Sequence, residues 1–328
     1  MKKYLFILII FLTGCITGQT VKEINDIPKE FNKPIEIYFC PTDDCNKILT
    51  DFIGSAESSV HCALFDINLK DVISILATKS SSIDVKIVVD NNNYGEITGP
   101  GVKQDDNSQL SHNKFCVIDN KKIFTGSFNP TERDAYKNNN NLLIVYSELL
   151  AKNYEDEFSE LWDGLYGEGE KVKNPVIYLN NIKIENYFCP EDNCKQHAID
   201  EIKKAKNSIY FMTFSFTDEA ISDAVLFKDN IDVKGVFETL EAGSEYSQYR
   251  RLKGFGLDVK KDSNKYNMHH KVFIIDSETV ITGSYNPTGS GSYKNDENLL
   301  IIHDKNIANR FIEEFNRVWN WGTNIQNK

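Results

Sequence analysis

A chain of 328 residues with 41% hydrophobic, 26% charged and 12% aromatic residues has globular composition and enough length for one large core or two ordinary ones. That excludes a largely disordered chain, and the formal net charge of −11 excludes a protein that coats nucleic acid through an overall basic field. A local basic cleft on an acidic body remains allowed.

The first 19 residues read as a targeting segment rather than as fold. Lys2 and Lys3 form a short positive region, Tyr4 to Leu12 is an apolar run too short to span a bilayer comfortably, and Leu12-Thr13-Gly14-Cys15 resembles the lipobox of exported lipoproteins. The expectation is an exported protein lipidated at Cys15 and held at the outer face of the cell membrane, with plain secretion as the alternative. Residues 20–33 read as a linker, 34–170 as a first unit and 171–328 as a second.

Export makes disulfides available. Cys40-Pro41-Thr42-Asp43-Asp44-Cys45 and Cys189-Pro190-Glu191-Asp192-Asn193-Cys194 each read as a small local disulfide loop; a four-cysteine zinc site is the alternative, with poor spacing. Cys62 and Cys116 lie inside apolar strand-like runs and read as buried free thiols.

The two cysteine motifs, 149 residues apart, open an internal repeat. Ser59-Val60-His61-Cys62-Ala63-Leu64-Phe65 matches Ser208-Ile209-Tyr210-Phe211-Met212-Thr213-Phe214, and Ile83 to Val89 matches Ile231 to Phe237. From His112 and His269 onward the offset is 157, so the second copy carries nine more residues just before its histidine. Tyr246 to Lys253 in that insertion reads as a helix, whereas Asn91 to Gly101 in the first copy reads as a loop. Each copy closes on an amphipathic helix with aromatics at i,i+4: Phe158 with Trp162, and Phe315 with Trp319. Alternating strand and helix signals make each copy an α/β unit with a largely buried sheet, the boundary falling near Gly167 to Pro175.

The chemistry sits in the later half of each copy. His112-Asn113-Lys114 runs to Asp119 and then Gly126-Ser127-Phe128-Asn129; His269-His270-Lys271 runs to Asp276 and then Gly283-Ser284-Tyr285-Asn286. A single His-x-Lys-x4-Asp is a modest motif, but two with matched Gly-Ser-x-Asn tails are not accidental. This paired motif resembles the signature of the phospholipase D superfamily, and the compact copies look most like its small endonucleases and cardiolipin hydrolases. The resemblance implies two tandem α/β repeats, each a mixed sheet flanked by helices, packed face to face as a pseudo-dimer. One site at the seam, active within a single chain and needing neither cofactor nor metal, follows from it.

Elementary chemistry points the same way. A phosphodiester needs a nucleophile, cations for its non-bridging oxygens and an acid for the leaving alkoxide. One of His112 and His269 attacks phosphorus to form a phosphohistidine, and the other protonates the leaving oxygen and then activates water. Lys114 and Lys271 share a face with the histidines at i,i+2 and neutralise charge, with Asn129, Asn286, Ser127 and Ser284 as neutral donors near the same oxygens. Asp119 and Asp276 read as backbone braces. The family commonly places a carboxylate at the position of Glu297, paired with a histidine of the opposite copy; the first copy departs from this with Asn140. Crosswise pairing makes His112 the nucleophile and His269 the acid, and same-copy pairing reverses them. The isolated histidines His61, His197, His270 and His303 read as structural.

The substrate stays open between phospholipid and nucleic acid. For nucleic acid, residues 248–271 hold seven basic side chains (Arg250, Arg251, Lys253, Lys260, Lys261, Lys265, Lys271) against Asp258 and Asp262, with Tyr246, Tyr249 and Tyr266 available for stacking. For lipid, an N-terminal membrane anchor places the enzyme at its substrate. A module that grips phosphodiesters without turnover is the remaining alternative.

Overall fold

The computed structural model describes residues 27–95 and 97–321. The proposed targeting segment with Cys15, and the first part of the linker, lie outside them. Among the described residues no helix is long and apolar enough to cross a membrane.

The first copy runs β2 (Ile35–Cys40), α1 (Cys45–Gly54), β3 (Ser59–Leu64), α2 (Lys70–Lys79), β4 (Asp84–Val89), β5 (Val102–Gln104), β6 (Lys114–Ile118), β7 (Lys122–Gly126), α3 (Glu132–Tyr136), β8 (Asn140–Tyr146) and α4 (Glu148–Asp163). The second adds an edge strand β9 (Val176–Leu179). It then repeats the series as β10 (Ile182–Cys189), α5 (Cys194–Lys204), β11 (Ser208–Thr213), α6 (Glu219–Leu226), β12 (Asp232–Phe237), α7 (Tyr249–Gly254), β13 (Asp258–Lys261), β14 (Lys271–Ile275), β15 (Thr279–Gly283), α8 (Gly289–Tyr293), β16 (Glu297–His303) and α9 (Lys305–Trp319). Strand order is β2-β8-β7-β6-β3-β4-β5 in one sheet and β10-β16-β15-β14-β11-β12-β13 in the other, so the duplication holds strand for strand. Both sheets are mixed: β3 and β4, like β11 and β12, are parallel, and the pairs that carry the motifs are antiparallel. In the stretch expected to be linker, β1 (Lys29–Glu30) pairs parallel with β9 and so closes the edge of the second copy's sheet.

Each sheet is buried on both faces, which is why the strands read as continuous apolar runs. One face packs on the copy's own α1 and α2, or α5 and α6, forming two separate outer cores. The inner faces, with α4 and α9, share a third core that crosses between the copies. There Phe39 meets Phe311 edge-on at 5.2 Å between ring centroids, and Tyr154 meets Phe188 at 5.0 Å, equivalent pairs contributed from opposite copies. The expected helix at Tyr246–Lys253 is shorter and later: Gln248 N–H goes to Phe216 O, so the helix starts only at Tyr249.

Two local disulfides, Cys40–Cys45 and Cys189–Cys194, close the loops that lead into α1 and α5. The free-thiol expectation for Cys62 and Cys116 is corrected by a third disulfide joining them. The physical reason is register: β3 and β6 run antiparallel with Cys62 directly opposite Cys116, a juxtaposition invisible at a sequence separation of 54.

Candidate active site

The two His-x-Lys motifs meet at the seam. Strands β6 and β14 begin at Lys114 and Lys271, so each histidine stands just ahead of its strand. The opposite copy holds it there. His112 N–H donates to Asp296 O at 2.9 Å, and His269 N–H donates to Asn139 O at 2.8 Å. Each lysine folds back on its own motif, Lys114 Nζ donating to His112 O (2.7 Å) and Lys271 Nζ to His269 O (2.9 Å). Phe65 and Phe214, immediately after β3 and β11, present an edge-on contact to His112 and His269, both at 4.8 Å. Their faces carry the lysine ammoniums at 4.9 and 5.0 Å.

The residue between His and Lys works on the seam rather than the site. Asn298 Nδ2 donates to Asn113 Oδ1 (2.9 Å), and Asn141 Nδ2 lies 3.0 Å from His270 Nδ1. Thr125 and Thr282 hydroxyls hold the same two asparagines from across the seam. The glycine of each Gly-Ser-x-Asn tail is required by this packing. Gly126 and Gly283 have φ of 133° and 134°, and a Cβ there would fall 2.5 Å from Asn141 O and 2.3 Å from Asn298 O.

The ring partners differ between the two histidines. His112 Nδ1 lies 2.8 Å from Glu297 Oε2, contributed by the opposite copy, and Ser284 Oγ donates to the same oxygen at 2.6 Å. His269 Nδ1 lies 2.8 Å from Asn140 Oδ1, an acceptor, so Nδ1–H donates and Nε2 carries no proton in the neutral ring. Asp134 of α3 has Oδ2 3.5 Å from the same Nδ1.

Electrostatics are dominated by burial. His112 and His269 are 6% and 8% exposed, and Lys114 is fully buried. Burial, then the lysines Lys114 and Lys271, hold the His112 ring well below its ordinary pKa; burial, then Lys271, Lys114, His112 and His270, do the same for His269. Lys114 is pushed down to about 8 by burial despite Glu297 and Asp134 nearby, and Lys271 is lowered by burial and then by Lys114. Burial pushes Glu297 up to about 8, opposed by Lys114, Ser284, Lys271 and the Asn286 backbone N–H. Two buried ammoniums with partly depressed pKa values form a site whose charge an incoming anion would relieve.

One expectation needs correction. Ser127 and Ser284 do not point at a phosphate position: their hydroxyls donate to Asn140 Oδ1 (3.3 Å) and Glu297 Oε2 (2.6 Å), which orients the histidine partners. Asn129 has an Nδ2–H committed to Asp134 Oδ2 at 2.9 Å, and the Oδ1 atoms of Asn129 and Asn286 are buried without a partner. Asp119 and Asp276 lie away from the reacting groups, in hairpin turns at positive φ, and accept backbone N–H groups of residues 57–59 and 206–208. Phe65, Phe214 and Asp134 escaped sequence reasoning; the two phenylalanines match across the repeat, which was their signal, whereas Asp134 has Gly291 as its counterpart and left none.

Fold and site together define a duplicated α/β protein with one two-histidine, two-lysine centre at its seam. The family model described as cardiolipin synthase, PLD-like domain, matches residues 49–162 and 198–319. The chain belongs to the phospholipase D-like family of phosphodiesterases. Phospholipase D of Rickettsia conorii is 29% identical over 142 residues, 43% of this chain and 71% of that protein. Mitochondrial cardiolipin hydrolase of Mus musculus is 32% identical over 117 residues, 35% of this chain and 53% of that protein. Among solved structures, phosphatidylserine synthase of Haemophilus influenzae shares the fold at a TM-score of 0.65 and 12% identity, covering 88% of each chain.

Proposed function

We propose that this protein hydrolyses phospholipid phosphodiesters through a phosphohistidine on His112, without a metal. The observation that carries the assignment of roles is the 2.8 Å contact of His112 Nδ1 with Glu297 Oε2. A carboxylate on Nδ1 leaves Nε2 as the nucleophilic nitrogen and balances the cation formed when it bonds to phosphorus. In the first step the His112 Nε2 lone pair forms the N–P bond, the bond from phosphorus to the leaving oxygen breaks, and His269 gives that oxygen its proton. In the second, His269 takes a proton from water, the resulting hydroxide attacks phosphorus, and the N–P bond breaks to release the phosphomonoester. Lys114 and Lys271 balance the charge on the non-bridging oxygens throughout.

Phospholipid is favoured because relatives in both similar groups bear lipid-hydrolysing names, and because much of the basic segment 248–271 is already engaged. Arg251 is paired with Asp223, Lys253 donates to Val259 O at 3.0 Å, and Lys260 packs over Trp319 at 4.0 Å. An N-terminal lipid anchor at Cys15 would hold the enzyme on such a surface. Nucleic acid is the second reading, favoured by one rim where Lys137 lies over the half-exposed Tyr266 ring at 5.3 Å. Incubation in EDTA with phosphatidylglycerol, phosphatidylcholine and cardiolipin vesicles, and with single-stranded and duplex DNA, tests the proposal. Lipid turnover with acid-labile phosphate on His112 is expected; cleavage of DNA alone supports the second reading, and binding without turnover sinks both.

A further inference from the structure

The first copy lacks the strand carboxylate: Asn140 stands where the second copy has Glu297. An amide can fix the tautomer of His269 but cannot balance the charge of its protonated ring, which an acid for the leaving oxygen must carry. We infer that Asp134, on helix α3, is the relocated carboxylate of the first copy and acts as the positioning residue for His269. This rests on the proposed role of His269.

The two copies are complementary at both positions. On the strand, the first has Asn140 and the second Glu297; on the helix, the first has Asp134 and the second Gly291. The helix position in the second copy has no room for a side chain, since a Cβ on Gly291 would lie 2.4 Å from Asn286 O. In the first copy Asp134 is 3% exposed and turned into the seam. Its Oδ2 accepts from Asn129 N and Nδ2, both at 2.9 Å, and its Oδ1 accepts from Asn138 Nδ2 at 2.5 Å, leaving Oδ2 3.5 Å from His269 Nδ1. The Asn286 backbone N–H, which corresponds to Asn129 N, is among the groups that hold the Glu297 carboxyl down. The Gly-Ser-x-Asn tail thus addresses a carboxylate in each copy, once from the strand and once from the helix. Asn140 completes the substitution by linking the two, its Oδ1 on His269 and its Nδ2 toward Asp134 O at 3.4 Å.

The titratable and charged groups facing His269 are Lys271 and His270 from its own motif, Lys114 and His112 from the first copy's motif, and Asp134 from α3. Asp134 is the carboxyl group in that set. Two variants of the full chain test its role: Asp134→Asn, and Asp134→Gly combined with Asn140→Glu, which copies the second repeat's arrangement. The readouts are the ring-nitrogen NMR titration of His269 and the alkaline limb of the rate profile, where loss of the His269 proton ends activity. Asp134→Asn should lower both by about one pH unit or more while leaving His112 in place. The double variant should return both to the wild-type position. An unmoved His269 titration in Asp134→Asn, or equal movement of both histidines, overturns the inference. Should Asp134→Asn fail to fold, the double variant decides alone: wild-type limb and titration support the inference, and their loss overturns it. The NMR titration needs no turnover, so a response of His269 in a protein that hydrolyses nothing would fail the proposed function and leave this inference standing.

Discussion

The two copies build the same antiparallel strand pair in two ways. In the first, β3 and β6 are joined by the Cys62–Cys116 disulfide; in the second, the equivalent residues on β11 and β14 are Phe211 and Phe273, with ring centroids 5.5 Å apart. The larger rings need space, and the neighbouring strand supplies it. Ile87 is paired with Cys62, but Gly235 is paired with Phe211, and a Cβ on Gly235 would come within 2.0 Å of Phe211 Cζ. A covalent link with an isoleucine beside it and an aromatic cluster with a glycine beside it are alternative fillings of one site. The same divergence runs into the active centre, where a shared backbone frame carries Glu297 on one side and Asn140 with Asp134 on the other. Duplication preserved strand order while local volume and charge were redistributed.

The strongest way to break the idea of divided labour is to remove each histidine alone. His112→Asn should abolish turnover and phosphohistidine together, a loss on the order of 10⁶-fold. His269→Asn should cost roughly 10²- to 10⁴-fold, the range for a general acid–base group, and any phosphohistidine formed should persist because its hydrolysis needs the same residue. Phosphohistidine accumulating in His112→Asn would reverse the roles.

Next in size is Glu297→Gln. Burial raises the Glu297 carboxyl to about 8 and lowers His112, so the pair gives up one proton before Nδ1–H faces a carboxylate and Nε2 is free. Activity should therefore rise with pH through an acidic limb set by this pair. With glutamine in place no carboxyl proton has to leave, the limb should move to lower pH, and the maximal rate should fall by roughly 10³-fold for want of a counter-charge. A limb that stays in place would detach Glu297 from His112.

The architecture was legible because duplication compares the chain with itself. Motif pairs, the change of offset from 148 to 157 and the apolar runs located both sheets, and the seam followed from the family resemblance of the paired motif. The histidines, lysines and Glu297 were legible as chemistry. What stayed hidden depends on register and on contacts across the seam. The cysteines at 62 and 116 are two ordinary apolar-strand residues until β3 and β6 are laid side by side, and Asp134 reads as a polar residue in a short helix until it meets His269. The serines were misplaced because a hydroxyl beside a phosphate site and one beside a histidine partner leave the same sequence trace.

Smaller effects on stability are expected at the disulfide and at its aromatic counterpart. Cys62→Ala with Cys116→Ala should lower stability by about 2–4 kcal/mol in denaturant titration. Gly235→Ala should cost roughly 1–3 kcal/mol by crowding Phe211. If Gly235→Ala is neutral, the two fillings are not alternatives of one volume.

The smallest expected effect concerns the glutamates behind the seam. In the second copy Glu314 is buried but answered: Arg317 reaches it at 2.5 and 2.7 Å and His270 at 3.0 Å, and with these partners its carboxyl stays below the ordinary value despite burial. At the matching place in the first copy Glu157 is buried with Asn113 at 3.3 Å, and Glu160 stands where Arg317 would be. Burial, then Glu191 and Asp296, push Glu157 well above its ordinary range, and burial pushes Glu191 to about 7. A carboxyl whose folded pKa is raised stabilises the fold while protonated, and that stability is lost as pH rises from the unfolded value near 4.5 through the folded value. The wild-type melting temperature should therefore fall between pH 5 and pH 8. Glu157→Gln should flatten that fall, raising the melting temperature at pH 8 by roughly 2–4 °C with little change at pH 5. Glu160→Arg, which places the second copy's answer in the first, should act in the same direction. A melting curve equally pH-dependent in Glu157→Gln would mean that the loss arises elsewhere, with Asp296, raised by burial to about 8, as the next group to substitute.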